Sequence, residues 1–397
     1  MMSDPLSFSS LFDELRVRNS RAHASLLSPA ALPLRSWLEQ TLGVHAGRDG
    51  GLLSTPVFEH KFGFLKAETT MERLAGDGTL SEALVANMDT PPGTHRGQRF
   101  ERGWSPYMHQ VAAWEALQRE TPTSVVVSAG TGAGKTECFL VPILSDLARQ
   151  VEGRRRQLEG VQALFLYPLN ALINSQRERL SAWTRGFGGA IRYCLYNGET
   201  RKRRAKKAEQ DKRPEEILSR PALRESPPPL LITNATMLEY MLVRPEDAPI
   251  LERSRGQLRY IVIDEAHTYV GSMAAELALL LRRVMNAFDV DPSQVRFIAT
   301  SATLSSDDSG EAREKIQAFL ADLSGQPLDR VEVVTDRRAI PAIPKVEPIG
   351  AVPDLDTLQA HSPAERFEAL CAHTVPVQIR SLLVARGAQT IRSLTSE

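Results

Sequence analysis

Residues 128–136 read Ser-Ala-Gly-Thr-Gly-Ala-Gly-Lys-Thr, and this stretch decides the fold of the 397-residue chain. The apolar run 125–127 precedes it, and the spacing of apolar residues in 137–147 predicts a helix directly after it. A strand that enters a glycine-rich loop and then a helix turns backbone N–H groups and the positive end of the helix dipole toward one point. The stretch therefore predicts a phosphate-binding loop. The alternative is a glycine-rich turn that binds no ligand.

The loop pattern assigns separate roles to its side chains and its backbone. Lys135 would reach the β and γ phosphates and the Thr136 hydroxyl would hold magnesium, so ATP and Mg²⁺ are the predicted cofactors. The other nucleotide-binding residues would act through their N–H groups: Ala129, Gly130, Thr131, Gly132, Ala133 and Gly134. Ala129 occupies a place where the general pattern has glycine.

Apolar runs of strand length alternate with helical stretches between residues 104 and 303. The runs are residues 124–128, 163–166, 191–195, 230–233, 260–263 and 295–299. Buried strands joined by helical crossovers imply an α/β fold, with a mostly parallel sheet covered by helices on both faces. Ligands of such sheets bind beyond the carboxyl ends of the strands, which is where the motifs of this chain lie.

The two ends of the chain differ in pattern from its centre. Residues 1–100 combine helical patterns at 12–17 and 34–42 with Gly- and Pro-rich breaks, which predicts a mainly helical accessory region. We expect the ATP-binding lobe in residues 101–325 and a linker with a helical extension in residues 326–397. This last part includes a strand-like run at 331–334.

An acidic pair follows the nearly continuous apolar run 258–263 directly, so both carboxylates lie at the carboxyl end of a strand. Asp264 would bind the magnesium, mostly through water, and Glu265 would orient and deprotonate the water that attacks the phosphate. A lone Asp-Glu after a strand is commonly a solvated loop. The phosphate loop upstream and the Ser-Ala-Thr triplet at 301–303 favour the catalytic interpretation.

These motifs resemble those of superfamily 2 helicases. Residues 264–267, Asp-Glu-Ala-His, look like motif II of DEAH-type members, and residues 301–303 look like motif III. The resemblance implies the first RecA-like lobe of a helicase or translocase that hydrolyses ATP. Its catalytic residues would be Lys135, Asp264, Glu265 and His267. His267, Ser301 and Thr303 would couple the phosphate state to nucleic-acid contacts.

Residues 104–110 resemble the adenine-reading Q motif of the same superfamily. The amide of Gln110 offers the donor and the acceptor that an adenine edge requires. The alternative is that this segment is only the start of an amphipathic helix.

Three further strand-end loops resemble nucleic-acid contact motifs of this superfamily, at 167–176, 196–200 and 233–238. Their hydroxyls, amides and N–H groups suit contacts to phosphate and sugar that do not read base sequence. Strand-end loops are polar in most proteins, which is the alternative explanation. The predicted nucleic-acid residues are Pro168, Asn170, Gln176, Gly198, Thr200, Thr233 and Asn234.

The segment 268–273 resembles a particular branch of the superfamily, with the Hrq-type and MrfA-type DNA helicases and large helicases of antiphage systems such as DISARM and Druantia. The resemblance favours DNA over RNA as the partner, although the motifs themselves also fit RNA, and it implies other subunits of a defence or repair system. ATP in this superfamily lies between two RecA-like lobes. No run after Thr303 resembles a second-lobe motif, so we expect the second lobe in cis or in another chain. A missing arginine finger lowers turnover by about 10³- to 10⁵-fold in related enzymes.

The formal net charge of zero gives no general reason to expect nucleic-acid binding, so any such surface must be local. Residues 201–213 hold eight Lys or Arg residues against Glu209 and Asp211, a formal surplus of six positive charges. This run either contributes to nucleic-acid binding or is a solvated helix or loop. The smaller run of three arginines at 154–156 receives no role.

The cysteines and the hydropathy of the sequence indicate the cellular location of the chain. The cysteines Cys138, Cys194 and Cys371 lie far apart without metal-type spacing, which indicates a reducing compartment. No segment approaches the roughly 20 apolar residues of a membrane span. We therefore expect a cytoplasmic protein without a membrane partner.

A nucleotide-sensing scaffold or assembly subunit without unwinding activity is the alternative to a helicase or translocase function.

Overall fold

The fold was analysed in a computed structural model that describes residues 8–27, 30–44, 47–48, 51–152, 157–301, 310–343 and 355–395. Thr303 and the arginine run at 154–156 lie outside these residues. Strands β1 to β9 are, in order, Val57–Phe58, Ser124–Ser128, Ala163–Leu166, Tyr193–Leu195, Leu230–Thr233, Tyr260–Ile263, Arg296–Ser301, Val331–Thr335 and Gln389–Thr390. Helices α1 to α18 are, in order, Phe8–Leu27, Leu32–Leu42, Met71–Gly76, Glu82–Asp89, Met108–Leu117, Lys135–Val151, Asn170–Ser175, Arg177–Thr184, Lys207–Gln210, Arg220–Glu225, Ala235–Val243, Ala248–Arg253, Ser272–Ala287, Gly310–Ser324, Leu355–Ala360, Pro363–Cys371, Thr374–Arg386 and Ile391–Thr395.

The chain divides into two compact units. The larger unit is Gly63–Ala339, and the smaller unit combines Met1–Phe62 with Ile340–Glu397. In the smaller unit the predicted N-terminal helices are present as α1 and α2. Its two-stranded sheet pairs β1 antiparallel to β9.

The larger unit is built on a seven-stranded sheet in the order β4-β5-β3-β6-β7-β2-β8, and neighbouring strands are parallel throughout. Every residue of β2 through β7 is buried. This burial explains the continuous apolar runs in the sequence, because both faces of the sheet are covered. The α/β fold, with a parallel sheet and helices on both faces, is confirmed, and the strand-like run at 331–334 forms the edge strand β8.

Alternate side chains of each strand enter two different cores. Val125 and Val127 of β2 pack in the core that contains Phe139 of α6. Val126 packs in the core that contains Leu281 of α13. This division follows from the two-residue period of a strand, and it fixes α6 and α13 on opposite faces of the sheet.

The larger unit differs from the expected domain boundaries at both ends. Met71 of α3 and Leu84 of α4 are buried in the same core as Phe139 of α6, so the unit extends well before residue 101. Strand β8 pairs with β2 and extends the unit beyond residue 325. Helices as short as α3 and α4 need a larger apolar surface to cover their buried faces. Among the described residues, no helix combines the length and the apolar character that crossing a bilayer requires.

Candidate nucleotide-binding and hydrolysis site

The phosphate loop connects β2 to the 17-residue helix α6. Gly132 and Gly134 have φ values of +78° and +70°, which strain any residue with a side chain. Gly134 precedes the first turn of α6, whose leading N–H groups have no intrahelical acceptor. Ala129 and Ala133 are buried, so their methyl groups contribute to the core. The N–H groups of Ala129, Gly130 and Ala133 donate within the chain. Phosphate would therefore be held by the other N–H groups of the loop together with the helix N-terminus.

Two side chains of α5 hold the carbonyl side of this loop. His109 Nε2 lies 2.7 Å from the Ala133 carbonyl oxygen, and Gln110 Nε2 donates to the Gly134 carbonyl oxygen at 3.2 Å. Both side chains are buried. Burial lowers the pKa of His109, which favours the neutral ring. The Ala133 carbonyl requires a donor, so Nε2 carries the hydrogen of this neutral ring.

Gln110 also connects the loop to a cavity of about 470 Å³. Its Oε1 accepts from the Tyr107 N–H at 2.9 Å. An amide oxygen has a second lone pair and an amide nitrogen a second hydrogen, so Gln110 keeps one acceptor site and one donor. Gly134 lines the cavity together with the aromatic side chains of Trp104 and Trp183. The cavity has the size of small-molecule sites, and adenine reading by Gln110 stays a prediction.

The acidic pair lies where it was expected, at the carboxyl end of β6, and is held by a residue that sequence reasoning missed. Thr300 of β7 donates its hydroxyl to Asp264 Oδ1 at 2.5 Å, and the same hydroxyl accepts from the Glu265 N–H at 3.0 Å. Thr300 is fully buried. A hydroxyl that follows the apolar residues 297–299 of β7, one residue before Ser301, was the available signal.

Glu265 brings the other predicted catalytic residues together. Its Oε1 lies 3.9 Å from Lys135 Nζ, and its Oε2 lies 3.3 Å from His267 Nδ1. The backbone of Glu265 is left-handed, with φ of +51°, a conformation that is uncommon for a residue other than glycine. Strained backbone of this kind is concentrated at functional sites. Here it turns the carboxylate between the loop lysine and the histidine.

The charge state of Asp264 reflects competing influences. Burial raises the pKa of this carboxyl, the Thr300 hydrogen bond and Lys135 lower it, and Glu265 raises it. Mg²⁺ prefers oxygen ligands and takes only one or two carboxylates from protein beside water and phosphate oxygens. The Asp264 carboxylate and the Thr136 hydroxyl are donors of this type, so the chemistry of these side chains fits the metal. A bound cation would also stabilise the ionised form of Asp264.

The strand that carries Ser301 touches the phosphate loop directly. The Ser301 carbonyl oxygen accepts from the Ala129 N–H at 3.2 Å, and Ser301 is buried. A shift of β7 would therefore move the start of the loop. The other predicted coupling residue, Thr303, lies outside the described residues.

The three predicted nucleic-acid loops follow β3, β4 and β5, which are neighbours in the sheet. Asn234 Nδ2 donates to Asn170 Oδ1 at 2.8 Å, which joins the loops after β5 and β3. Asn174 Nδ2 donates to Glu199 Oε2 at 3.0 Å, which joins α7 to the loop after β4. The structure therefore brings the three loops to one edge of the sheet. Residue exposure differs among them: Asn170 and Gly198 are exposed, and Pro168, Gln176 and Asn234 are half-buried.

Two of the predicted nucleic-acid residues are buried. The Thr200 hydroxyl donates to the Leu195 carbonyl oxygen at 2.7 Å, and the Thr233 hydroxyl donates to the Tyr196 carbonyl oxygen at 2.7 Å. Both hydroxyl hydrogens are used within the chain. Their observed role is to shape the loops that present the exposed residues.

The fold and the site together define a P-loop ATPase lobe of motor type, with a phosphate loop and an acidic pair on strands of one parallel sheet. The family of DEAD/DEAH box helicases matches residues 107–310. The chain belongs to this family, and it is an ATP-dependent motor domain of the helicase type.

Curated relatives agree with this assignment. The Druantia protein DruE of Escherichia coli (strain UMEA 4076-1) is 27% identical, with 67% of this chain and 20% of DruE covered. The uncharacterized ATP-dependent helicase YprA of Bacillus subtilis (strain 168) is 29% identical, with 57% of this chain and 27% of YprA covered. The predicted superfamily and the Druantia-type branch are confirmed. The chain spans about a fifth to a quarter of the length of these relatives.

A solved structure of the DUF1998 helicase MrfA bound to DNA is also similar. It is 22% identical, with a TM-score of 0.48, and the alignment covers 77% of this chain and 34% of MrfA.

Proposed function

We propose that the chain is the first motor lobe of an ATP-dependent DNA helicase or translocase that hydrolyses ATP with Mg²⁺. The observation that carries the proposal is the convergence of Lys135, Glu265 and His267, with Glu265 within 4 Å of both partners. These residues come from the phosphate loop and from the carboxyl end of β6. This convergence supports the proposal, because it brings the side chain that would bind phosphate next to the side chain that would deprotonate water.

The residues of the chain divide the reaction among them. The loop N–H groups and Lys135 would hold the phosphates and offset charge that develops on the γ-phosphate. Glu265 would orient the attacking water and accept its proton as the bond to the leaving phosphate oxygen breaks. His267 would fix the Glu265 carboxylate. Asp264 and Thr136 would hold Mg²⁺, which when bound neutralises charge on the β and γ phosphates.

Nucleic acid would bind across the loops that follow β3, β4 and β5. Exposed Asn170 and Gly198 would contact phosphate and sugar, a type of contact that positions a strand without reading its sequence. The resemblance of residues 268–273 to a branch of DNA helicases favours DNA over RNA.

Because the chain spans only a fifth to a quarter of the length of its relatives, we propose that a second RecA-like lobe completes the motor, in the same polypeptide or in another chain. Subunits of a defence or repair system are further proposed partners. Free thiols at the described cysteines support a cytoplasmic location.

Two substitutions separate nucleotide binding from hydrolysis. Lys135→Ala should abolish ATP binding, and Glu265→Gln should retain binding but lose turnover, because only the general base is removed. Lys315→Ala is the control, since Lys315 is an exposed residue of α14 that pairs with Glu311. The measurements are equilibrium binding of a fluorescent ATP analogue and DNA-stimulated hydrolysis in the presence of the second lobe. Equal hydrolysis by all variants would refute the proposal. Binding without turnover in wild type would instead identify a nucleotide-sensing scaffold.

A further inference from the structure

The run of residues 201–213, termed here the basic insert, lies in the connection between β4 and β5 and contains the short helix α9. Its eight basic side chains are all exposed. The rest of the chain balances these charges, because the chain as a whole has a formal net charge of zero. The basic insert is therefore a local feature rather than part of a generally basic protein.

Three of the eight basic side chains are neutralised by ion pairs. Arg201 pairs with Glu209 at 2.6 Å, Arg213 pairs with Glu216 at 3.2 Å, and Arg204 pairs with Glu225. Within the described part of the chain, the remaining five form no ion pair. These five are Lys202, Arg203, Lys206, Lys207 and Lys212. Inside the basic insert, Asp211 is the one carboxylate left to oppose them, so a substantial positive surplus faces solvent.

The basic insert is fixed beside the loop that follows β4. Arg201 forms a parallel bridge with Ser219, and the Arg220 N–H donates to the Arg201 carbonyl oxygen at 2.9 Å. The Arg220 guanidinium donates in turn to the Asn197 carbonyl oxygen at 3.3 Å. The start of the insert is thereby attached to the loop that contains Gly198.

A cavity of about 210 Å³ lies at the same place. It is lined by Asn174 of α7, Glu199 of the loop after β4, and Arg201 and Arg213 of the basic insert. One concave surface therefore joins two of the proposed strand-contact loops to both ends of the insert.

We infer that the basic insert is an additional contact site for the phosphodiester backbone of a nucleic-acid strand that lies on the neighbouring loops. This inference rests on the proposed function. Unpaired Lys and Arg side chains bind phosphates and release counterions, and such contacts need no apolar anchor. A protein partner would need one, because binding energy at protein interfaces is concentrated in buried aromatic and large side chains. The apolar residues of the insert are Ala205 and Ala208, so its surface fits a polyanion and carries no sequence preference.

The test is the salt dependence of strand binding. A variant with glutamine at the five unpaired positions keeps the three ion-paired arginines that hold the insert. Affinity for a fluorescent single-stranded DNA is measured over a range of salt concentrations with a non-hydrolysable ATP analogue. The slope of log K against log salt should fall in magnitude by about 0.7 for each phosphate that the variant no longer neutralises. The control variant removes the same charge from exposed positions elsewhere on the larger unit, with glutamine at Arg73, Arg255, Arg282, Arg283 and Lys315.

The outcomes separate this inference from the proposed function. A flatter slope in the insert variant, with an unchanged slope in the control and unchanged ATP-analogue binding in both, supports the inference. The same slope in the insert variant as in wild type overturns it while strand binding by the loops stands. An equal fall in both variants also overturns it, because net charge rather than the insert would then be responsible. Absence of strand binding by wild type in the presence of the second lobe would refute both.

Discussion

Replacing Thr300 by valine tests the arrangement that the structure adds to the acidic motif. Valine has nearly the shape of threonine, so the buried position remains filled while both hydrogen bonds are removed. A hydrogen bond to a charged group contributes about 1.5–3 kcal/mol, and the Glu265 N–H would be left without its acceptor. The pKa of Asp264 should rise further, because burial continues to raise it and the opposing hydrogen bond is gone.

If the lost hydrogen-bond free energy raises the barrier to hydrolysis by the same amount, the rate of ATP hydrolysis should fall by about 10- to 150-fold. The assay is single-turnover hydrolysis over a magnesium titration, and the variant should need more Mg²⁺ to reach half its maximum rate. Thr123→Val is the matched control: Thr123 is buried before the amino end of β2, and its hydroxyl donates to the Thr121 carbonyl oxygen at 3.2 Å. An unchanged rate and magnesium requirement for Thr300→Val, or an equal decrease for Thr123→Val, would show that the Thr300 hydrogen bonds do not support the site.

Three further predictions concern the support of the phosphate loop. His109→Ala leaves the Ala133 carbonyl unpaired and should weaken ATP binding by about 5- to 150-fold. His109→Gln should recover part of the affinity because glutamine keeps a donor. Equal ATP affinities for wild type and His109→Ala would exclude a positioning role for His109. Because the pKa of His109 lies below its ordinary value of 6.5 in the folded chain, its contribution to stability is present above pH 6.5 and is lost as the pH falls through the folded value. Urea unfolding at a series of pH values should show this loss in wild type and not in His109→Gln. Asp336→Ala removes the acceptor of the Gly130 N–H, 3.1 Å away, and should lower the free energy of unfolding by about 1–3 kcal/mol. The control Asp329→Ala changes an exposed residue and should not lower it. Similar urea unfolding midpoints for the two variants would contradict the prediction.

The candidate site was predictable where its chemistry depends on adjacent residues. The glycines that permit the turns at Gly132 and Gly134 and the helix after them are encoded within a short stretch, and so is the placement of Asp264 and Glu265 after a buried strand. Thr300 could not be assigned in the same way. Its contact with Asp264 spans 36 positions and exists because β6 and β7 are neighbours in the sheet.

The sequence also could not predict which of the candidate contact side chains are exposed to solvent. Thr200 and Thr233 carry the hydroxyls that a strand contact would use, yet both are buried and bonded to loop carbonyls. The charge of residues 201–213 was evident, but the sequence could not tell paired from unpaired side chains. Arg204 is neutralised by Glu225, which lies 21 positions further along the chain.

By itself the sequence determined the strands, the phosphate loop and the acidic motif, because buried strands and glycine turns depend on local spacing and on backbone freedom. Only the tertiary structure decided which side chains support them. The Asp336 carboxylate meets the Gly130 N–H across 206 positions, and the order of strands in the sheet makes that contact possible. Contacts of this kind depend on the packing of distant segments, so no local pattern encodes them.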